Sequence, residues 1–183
     1  MTGCITVLFN EDPLTFYDIS EPEDSASELV RVLDTHIGKG VFTVRAYPAT
    51  AIIGQITGTL MEDSVQGSEY TIEFDEGLQL EPDAPFRDVN HSCDPNCEFE
   101  LLEIPAVDAE PARLNLFLVA IRNIPMNEQL TINYNWSAEC AIPCECGSDE
   151  CIGWVVCKDE LEQIPFCFAY PDYELAEPTC PTH

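Results

Sequence analysis

Four cysteines constrain this chain more than any other feature. Cys93 sits in the turn-rich stretch Asn90-His91-Ser92-Cys93-Asp94-Pro95-Asn96. Cys144, Cys146 and Cys151 form a C-x-C-x4-C run within Cys144-Glu145-Cys146-Gly147-Ser148-Asp149-Glu150-Cys151-Ile152-Gly153. Four thiolates are the number that a tetrahedral structural zinc takes, and they leave no open position for water. The two stretches are distant in sequence, so one shared metal would pin the C-terminal segment onto the middle of the chain.

With 183 residues, 45% of them hydrophobic, the chain suits one compact domain with appendages. It has no apolar run of membrane-spanning length, and no membrane partner is expected. Met1 to Asn10 lacks a basic segment and a small-residue cleavage site, so it is not read as a signal peptide. Without a secretory signal, ten cysteines speak for metal rather than disulfides. Thiolate zinc needs a reducing compartment, so the expected location is intracellular, nuclear or cytoplasmic. Cys4, Cys97, Cys140, Cys157, Cys167 and Cys180 are read as small buried hydrophobes or surface thiols.

Thirty-four acids face seven bases, a formal net charge of -27. Such a field repels phosphate backbones, so direct nucleic-acid binding is not expected. It attracts cationic partners such as a lysine-rich tail. The same charge also fits a general solubility or high-salt surface, because the acids are spread along the chain.

The hydropathy pattern is that of a mainly-β chain. Ile5–Phe9, Glu28–Leu33, Val41–Arg45, Ala51–Ile56, Tyr70–Phe74, Leu114–Ala120 and Gln129–Tyr134 read as strands. Gly38 and Gly40 read as a turn after the second of these. Fourteen prolines and nine glycines, scattered, leave little room for long helices. The expected organisation is a lead-in over 1–27, a domain over 28–136, a zinc segment over 137–156 and an acidic tail over 157–183. The tail carries Phe166, Phe168, Tyr170 and Tyr173 and either packs or forms a flap.

Asn-His-Ser-Cys-x-Pro-Asn followed by Cys-x-Cys-Gly-x3-Cys-x-Gly resembles a SET domain with its post-SET segment. Gly38-Lys39-Gly40-Val41-Phe42 resembles the opening G-x-G-hydrophobic element of that family, and Arg87-Asp88-Val89 its Arg-Phe-Ile. Ala120-Ile121-Arg122-Asn123-Ile124, Glu128-Gln129-Leu130-Thr131 and Tyr134 follow in the family's order. The resemblance covers roughly residues 28 to 156. It implies a β-clip of several small sheets, a C-terminal pseudoknot in which the segment after Tyr134 lies under a preceding loop, and a post-SET zinc knuckle.

The resemblance also implies methyl transfer from S-adenosylmethionine, usually to protein lysines. Tyr134 then supplies the catalytic hydroxyl; outside the motif it would be read as a core tyrosine. Gly38, Lys39, Gly40, Val41, Arg87, Asn90 and His91 are the expected donor-binding residues. Trp154 either stacks on the adenine or packs. Cys93, Cys144, Cys146 and Cys151 hold one structural Zn2+. The expected partners are a basic protein or peptide, a histone tail among them, or a small-molecule amine, met by a monomer.

Five positions depart from the family pattern. Gln55-Ile56-Thr57-Gly58 replaces Glu-Tyr-x-Gly, Ile132 stands at a Phe/Tyr position, Asn133 replaces Asp, and Asp88 replaces Phe. The donor and zinc elements are thus kept better than the acceptor channel, where an aliphatic lining loses cation–π and hydroxyl contacts. Three functions follow: a lysine N-methyltransferase, a SET-fold enzyme with a small-molecule acceptor, or a SET-like binding module without catalysis.

Overall fold

In the computed structural model of the protein, the residues described are 5–6, 29–62, 68, 70–74, 78–104 and 113–165. Phe166, Phe168, Tyr170 and Tyr173 of the tail, and Cys4, Cys167 and Cys180, lie outside them, as does Val7–Phe9 of the first expected strand.

Thirteen short strands run along these residues. They are β1 (Ile5–Thr6), β2 (Val30–Thr35), β3 (Gly38–Thr43), β4 (Ile52–Gln55), β5 (Gly58–Glu62), β6 (Ile72–Phe74) and β7 (Leu78–Pro82). Then come β8 (Asn90–His91), β9 (Cys97–Ile104), β10 (Arg113–Ala120), β11 (Thr131–Ile132), β12 (Ile142–Pro143) and β13 (Trp154–Val155). The only helical segments among the described residues that span a full turn are 3-10, at Phe86–Asp88, Ala138–Cys140 and Lys158–Gln163. The expected mainly-β fold of several small sheets is what the chain forms. One sheet has the order β1-β6-β7-β5 and a second β4-β10-β9; β2-β3, β8-β11 and β12-β13 are pairs. No described helix is long and apolar enough to cross a membrane.

Strand β10 explains itself. Leu116 to Ala120 is an unbroken apolar run, buried throughout, because β10 is the central strand of its sheet and lies between β4 and β9. Its full-length antiparallel partner β9, from Cys97 opposite Ala120 to Ile104 opposite Arg113, is not among the expected strands; Cys97 to Leu101 alternates apolar and acidic residues as a strand does, but Leu101-Leu102 breaks the period. The expected Gly38/Gly40 turn is shifted: both glycines lie within β3, and the chain reverses one step earlier, at His36–Ile37. Gly38 closes that reversal with φ +110°, a conformation that favours glycine.

The core gathers Ile53, Ile72, Leu118, Val41, Val89, Leu130 and Ile132. Burying a side chain of the size of Leu130 or Ile132 contributes roughly 1.5–3 kcal/mol, so the segment carrying them is firmly seated. That segment passes between β3 and the turn after β8. On one side the Leu130 N–H donates to the Val41 carbonyl and the Thr43 N–H to the Glu128 carbonyl. On the other, the Ser92 N–H donates to the Ile132 carbonyl and the Asn96 N–H to the Thr131 carbonyl. Parallel pairing of β11 with β8 sets Thr131 beside Asn90 and Ile132 beside His91. Tyr134 is thereby delivered next to the Asn-His element, 43 positions away in sequence.

Candidate active site and zinc centre

The sulfurs of Cys93, Cys144, Cys146 and Cys151 all lie within 4.8 Å of one another. Cys93 Sγ is 3.8 Å from that of Cys144 and 3.9 Å from that of Cys151. A tetrahedral zinc with Zn–S bonds of about 2.3 Å has sulfur–sulfur edges of about 3.8 Å, so the four thiols fit that ion. The loop between Cys144 and Cys151 is shaped by its own backbone. The Cys144 N–H donates to the Gly153 carbonyl and the Cys151 N–H to the Ser148 carbonyl. The β12–β13 ribbon, Ile142 opposite Val155, closes its base.

Burial pushes the Cys93 and Cys144 thiols up. Cys146 is desolvated too, yet hydrogen bonds from the backbone N–H groups of Cys93 and Ser148 and from neighbouring thiols draw it down to about 6. A metal takes thiolates, so zinc binding here would release the protons that the thiols of this cluster hold. The other described cysteines stay apart from it: Cys97 is buried, its thiol pushed up to about 12 by burial, and Cys140 and Cys157 are half-buried.

Of the residues expected to hold the donor, Lys39 and Gly40 are brought against Asn90. Its Nδ2 donates to the Lys39 carbonyl at 2.7 Å, which joins the Gly38-Lys39-Gly40 strand to the Asn-His element. A donor molecule spanning both elements needs that juxtaposition. The two glycines do different things. A Cβ on Gly38 would meet nothing within 4 Å, so space beside it is open. On Gly40 it would come within 2.6 Å of Gln129 Nε2 and 3.1 Å of Asn90 Nδ2. The space beside Gly40 is thus filled by the side-chain amides of Gln129 and Asn90. Val41 is fully buried in the core, and only its main chain is available. Arg87 places its guanidinium 4.5 Å from the centre of the Tyr70 ring, on the side of the loop that leads into β6.

Tyr134 stands at the centre. Its phenol donates to the Val89 carbonyl at 2.9 Å. Its ring packs edge-on to His91 and is tilted against Trp136, at 5.4 Å in each case. Its N–H donates to His91 Nδ1 at 3.2 Å, while His91 Nε2 lies 3.5 Å from Cys93 Sγ. Burial pulls the His91 imidazole down to about 4, so it is neutral near pH 7. Trp154 is half-buried against Ala138, Ala141 and Val156, a small second core that Leu161 and Ile164 also join.

Residues 38–135 match the profile of the SET domain. The chain belongs to the SET-domain family. Its sequence is 30% identical over 96 residues to an H3 lysine-4 specific histone-lysine N-methyltransferase of Aspergillus oryzae, covering 49% of this chain and 7% of that protein. It is 26% identical over 147 residues to the histone-lysine N-methyltransferase trithorax of Drosophila virilis, covering 70% of this chain and 4% of that one. The chain thus spans less than a tenth of the length of either relative. Among solved structures, KRYPTONITE in complex with mCHH DNA, H3(1-15) peptide and SAH superposes with a TM-score of 0.59 at 19% identity, over 69% of this chain and 29% of that one. Arabidopsis thaliana SUVH6 in complex with SAM gives 0.58 at 21%, over 69% and 33%. At these identities the likeness establishes the SET fold.

Some residues of this SET domain had no role assigned from sequence. Asn96 is buried and holds the Glu128–Thr131 segment by three bonds. Nδ2 donates to Glu128 Oε1 and to the Gln129 carbonyl, and Oδ1 accepts from the Thr131 N–H. Arg122 donates to the same Glu128 oxygen at 2.6 Å. His36, at the β2–β3 reversal, lies 2.9 Å from the Glu145 carbonyl, between Cys144 and Cys146 of the thiol cluster. The signal for Asn96 was its place inside the quoted motif; His36 carried none. The departures are also clarified. Ile56 and Ile132 are buried core residues, and Asn133 Oδ1 accepts the Asn135 N–H at 3.1 Å, a bond an aspartate would make as well.

Proposed function

We propose that this SET domain transfers methyl groups from S-adenosylmethionine to lysine side-chain nitrogens of a basic protein or peptide, a histone tail among them. The observation that carries the reading is the Tyr134 hydroxyl set against the Val89 carbonyl, one residue from the Asn90-His91 element. The match of residues 38–135 to the SET domain and the histone-lysine N-methyltransferase names of the relatives support it.

S-adenosylmethionine supplies a methyl group on a positively charged sulfur, so the acceptor nitrogen must arrive neutral with its lone pair free. Gly38, Lys39, Gly40 and Val41 would offer the donor main-chain groups, Asn90 and His91 would flank it, and Arg87 and Trp154 are the outer candidates. A carbonyl oxygen has two lone pairs. The Val89 carbonyl can therefore accept an amine N–H while it still accepts from Tyr134, and the pair orients the amine rather than ionising it. Orientation of this kind accounts for much of the barrier reduction in a displacement that needs no covalent intermediate. The zinc is structural: four thiolates close its shell, and it holds the segment after residue 140 against the Asn90 turn. The net charge of -27 favours a cationic substrate and opposes direct nucleic-acid binding. The thiolate cluster suits a reducing, intracellular setting.

A second reading keeps the fold and donor but takes a small-molecule amine. Buried Ile56 and Ile132, aliphatic where the family has aromatics, favour it. The test is label transfer from methyl-labelled donor by the full chain, offered lysine-rich peptides in one arm and a panel of small amines in another. Label in peptide lysines upholds the first reading, label in amines only replaces it with the second, and tight donor binding without any transfer overturns both.

A further inference from the structure

We propose that His91 is a positioning residue that couples the zinc knuckle to Tyr134, its imidazole bridging the Cys93 sulfur and the Tyr134 backbone. This rests on the zinc and Tyr134 assignments above and gives the His91 side chain a task distinct from holding the donor.

The argument is one of proton accounting. A neutral imidazole carries a hydrogen on one nitrogen and a lone pair on the other. A backbone N–H can only donate, and that of Tyr134 points at His91 Nδ1 from 3.2 Å. Nδ1 must therefore present its lone pair, and the hydrogen sits on Nε2. Nε2 in turn faces Cys93 Sγ at 3.5 Å, within the reach of an N–H···S bond. The opposite tautomer would set two hydrogens against each other at Nδ1 and leave the sulfur facing a lone pair.

Both ring nitrogens are thus engaged within the chain, and the donor is left with the main chain of His91. The imidazole is well placed for a bridging role. It is 7% exposed, so water does not readily take its place. Its backbone is fixed by the pairing of His91 with Ile132, and its ring lies edge-on to that of Tyr134. Cys93 follows two residues later in the same turn. Sulfur, imidazole and the Tyr134 amide are thus linked in one chain of contacts, which a zinc held by Cys93 would join. Partners of metal ligands hold the ligand's orientation, and losing one typically weakens metal binding 10–100-fold.

Two measurements test this on the full chain. In zinc-loaded wild-type protein labelled with 15N, long-range proton–nitrogen correlations of His91 report the tautomer directly. A hydrogen on Nε2 with a bare Nδ1 is expected; a hydrogen on Nδ1 overturns the inference, and no variant has to fold for that result. In the second, zinc is transferred to a chromophoric chelator from wild type, His91→Phe and His91→Gln. His91→Phe is expected to give up zinc about 10–100-fold more readily, with a shifted Tyr134 amide resonance, and His91→Gln to recover part of both, its side-chain N–H facing the sulfur and its side-chain oxygen accepting from the Tyr134 N–H. Equal zinc retention in His91→Phe and wild type overturns the inference. Wild-type protein that binds no zinc overturns it together with the metal assignment. Zinc bound and the Nε2 tautomer found, but no methyl transfer to any acceptor, overturns the functional reading and upholds the bridge.

Discussion

The phenol of Tyr134 donates a hydrogen bond to the carbonyl of Val89 at 2.9 Å, across 45 positions of sequence. That bond ties the end of the segment threaded past β3 to the residue that opens the Asn-His element. It also leaves a hydroxyl and a carbonyl side by side, the pair to which the proposed function assigns the acceptor amine.

Tyr134→Phe removes the hydroxyl and keeps the ring against His91 and Trp136. One ordinary hydrogen bond is lost, about 1 kcal/mol of stability, and folding should survive. Turnover should fall about 100-fold or more, the usual scale for deleting one oriented polar group at a reacting centre. Donor affinity measured by calorimetry should stay within about threefold. Unchanged turnover would remove Tyr134 from the mechanism.

Cys146→Ser takes one sulfur from the cluster. The variant should lose its zinc and the order of the segment from Ile142 to Val156, because little but the β12–β13 ribbon and the small core of Ala138, Ala141 and Val156 would then hold it. Metal analysis and hydrogen exchange at Val155 and Val156 report the two effects. Cys97→Ser is the control: Cys97 is buried in the main core and lies outside the cluster, so that variant should keep full zinc while losing some stability. Full zinc content in Cys146→Ser would show that its sulfur is not a ligand.

How much of this could be read from residues alone depended on whether the signal was local. Cys93 and the C-x-C-x4-C run announced their joint site because metal ligation needs few residue types at short spacing. The apolar run of β10 announced a central strand. Strand β9 did so only weakly, since its alternation of apolar and acidic residues runs from Cys97 to Leu101 and is broken by Leu102, and its full length shows only in its pairing with β10. Nor could the sequence say that Asn96 would turn inward. An asparagine next to a proline reads as turn chemistry, and its burial follows from a contact with residues more than thirty positions later. The tightness around Gly40, where an added Cβ would meet Gln129 Nε2 and Asn90 Nδ2, likewise depends on residues distant in sequence. The misplaced turn has the same origin, for a glycine pair looks like a reversal unless the strand opposite is known.

Asn96→Ala should cost more than an average core polar substitution. It deletes three hydrogen bonds at once and leaves the Thr131 N–H and the Gln129 carbonyl without their partner. With each bond worth about 1 kcal/mol and a further penalty for unpaired groups, a loss of about 3 kcal/mol in chemical denaturation is expected. Asn96→Asp should be no better near neutral pH, because it sets a carboxylate against Glu128 in place of the amide that donates to it. A loss below about 1 kcal/mol in both variants would show that β11 is held by its backbone bonds alone.

Glu128 gives the chain a specific acid sensitivity. Burial works to raise its carboxyl, but hydrogen bonds from Arg122 and Asn96 and the nearby guanidinium charge hold it below the usual carboxylate range. An unfolded glutamate titrates at about 4.3, and the folded one lower. The contribution of the ionised group is therefore complete above that ordinary value and disappears as pH falls through the lower, folded one. Arg122 is 46% and Glu128 27% exposed, so the ion pair is worth no more than about 1 kcal/mol. Acidification also relieves the self-repulsion of a chain with a net charge of -27, which works in the opposite direction and hides the effect in wild type alone. Comparison with Glu128→Gln removes that background. The stability difference between the two proteins should be largest near pH 6 and shrink towards pH 3, followed by denaturant melts at constant ionic strength. A difference that does not change with pH would mean that Glu128 acts only as a neutral hydrogen-bond acceptor for Asn96.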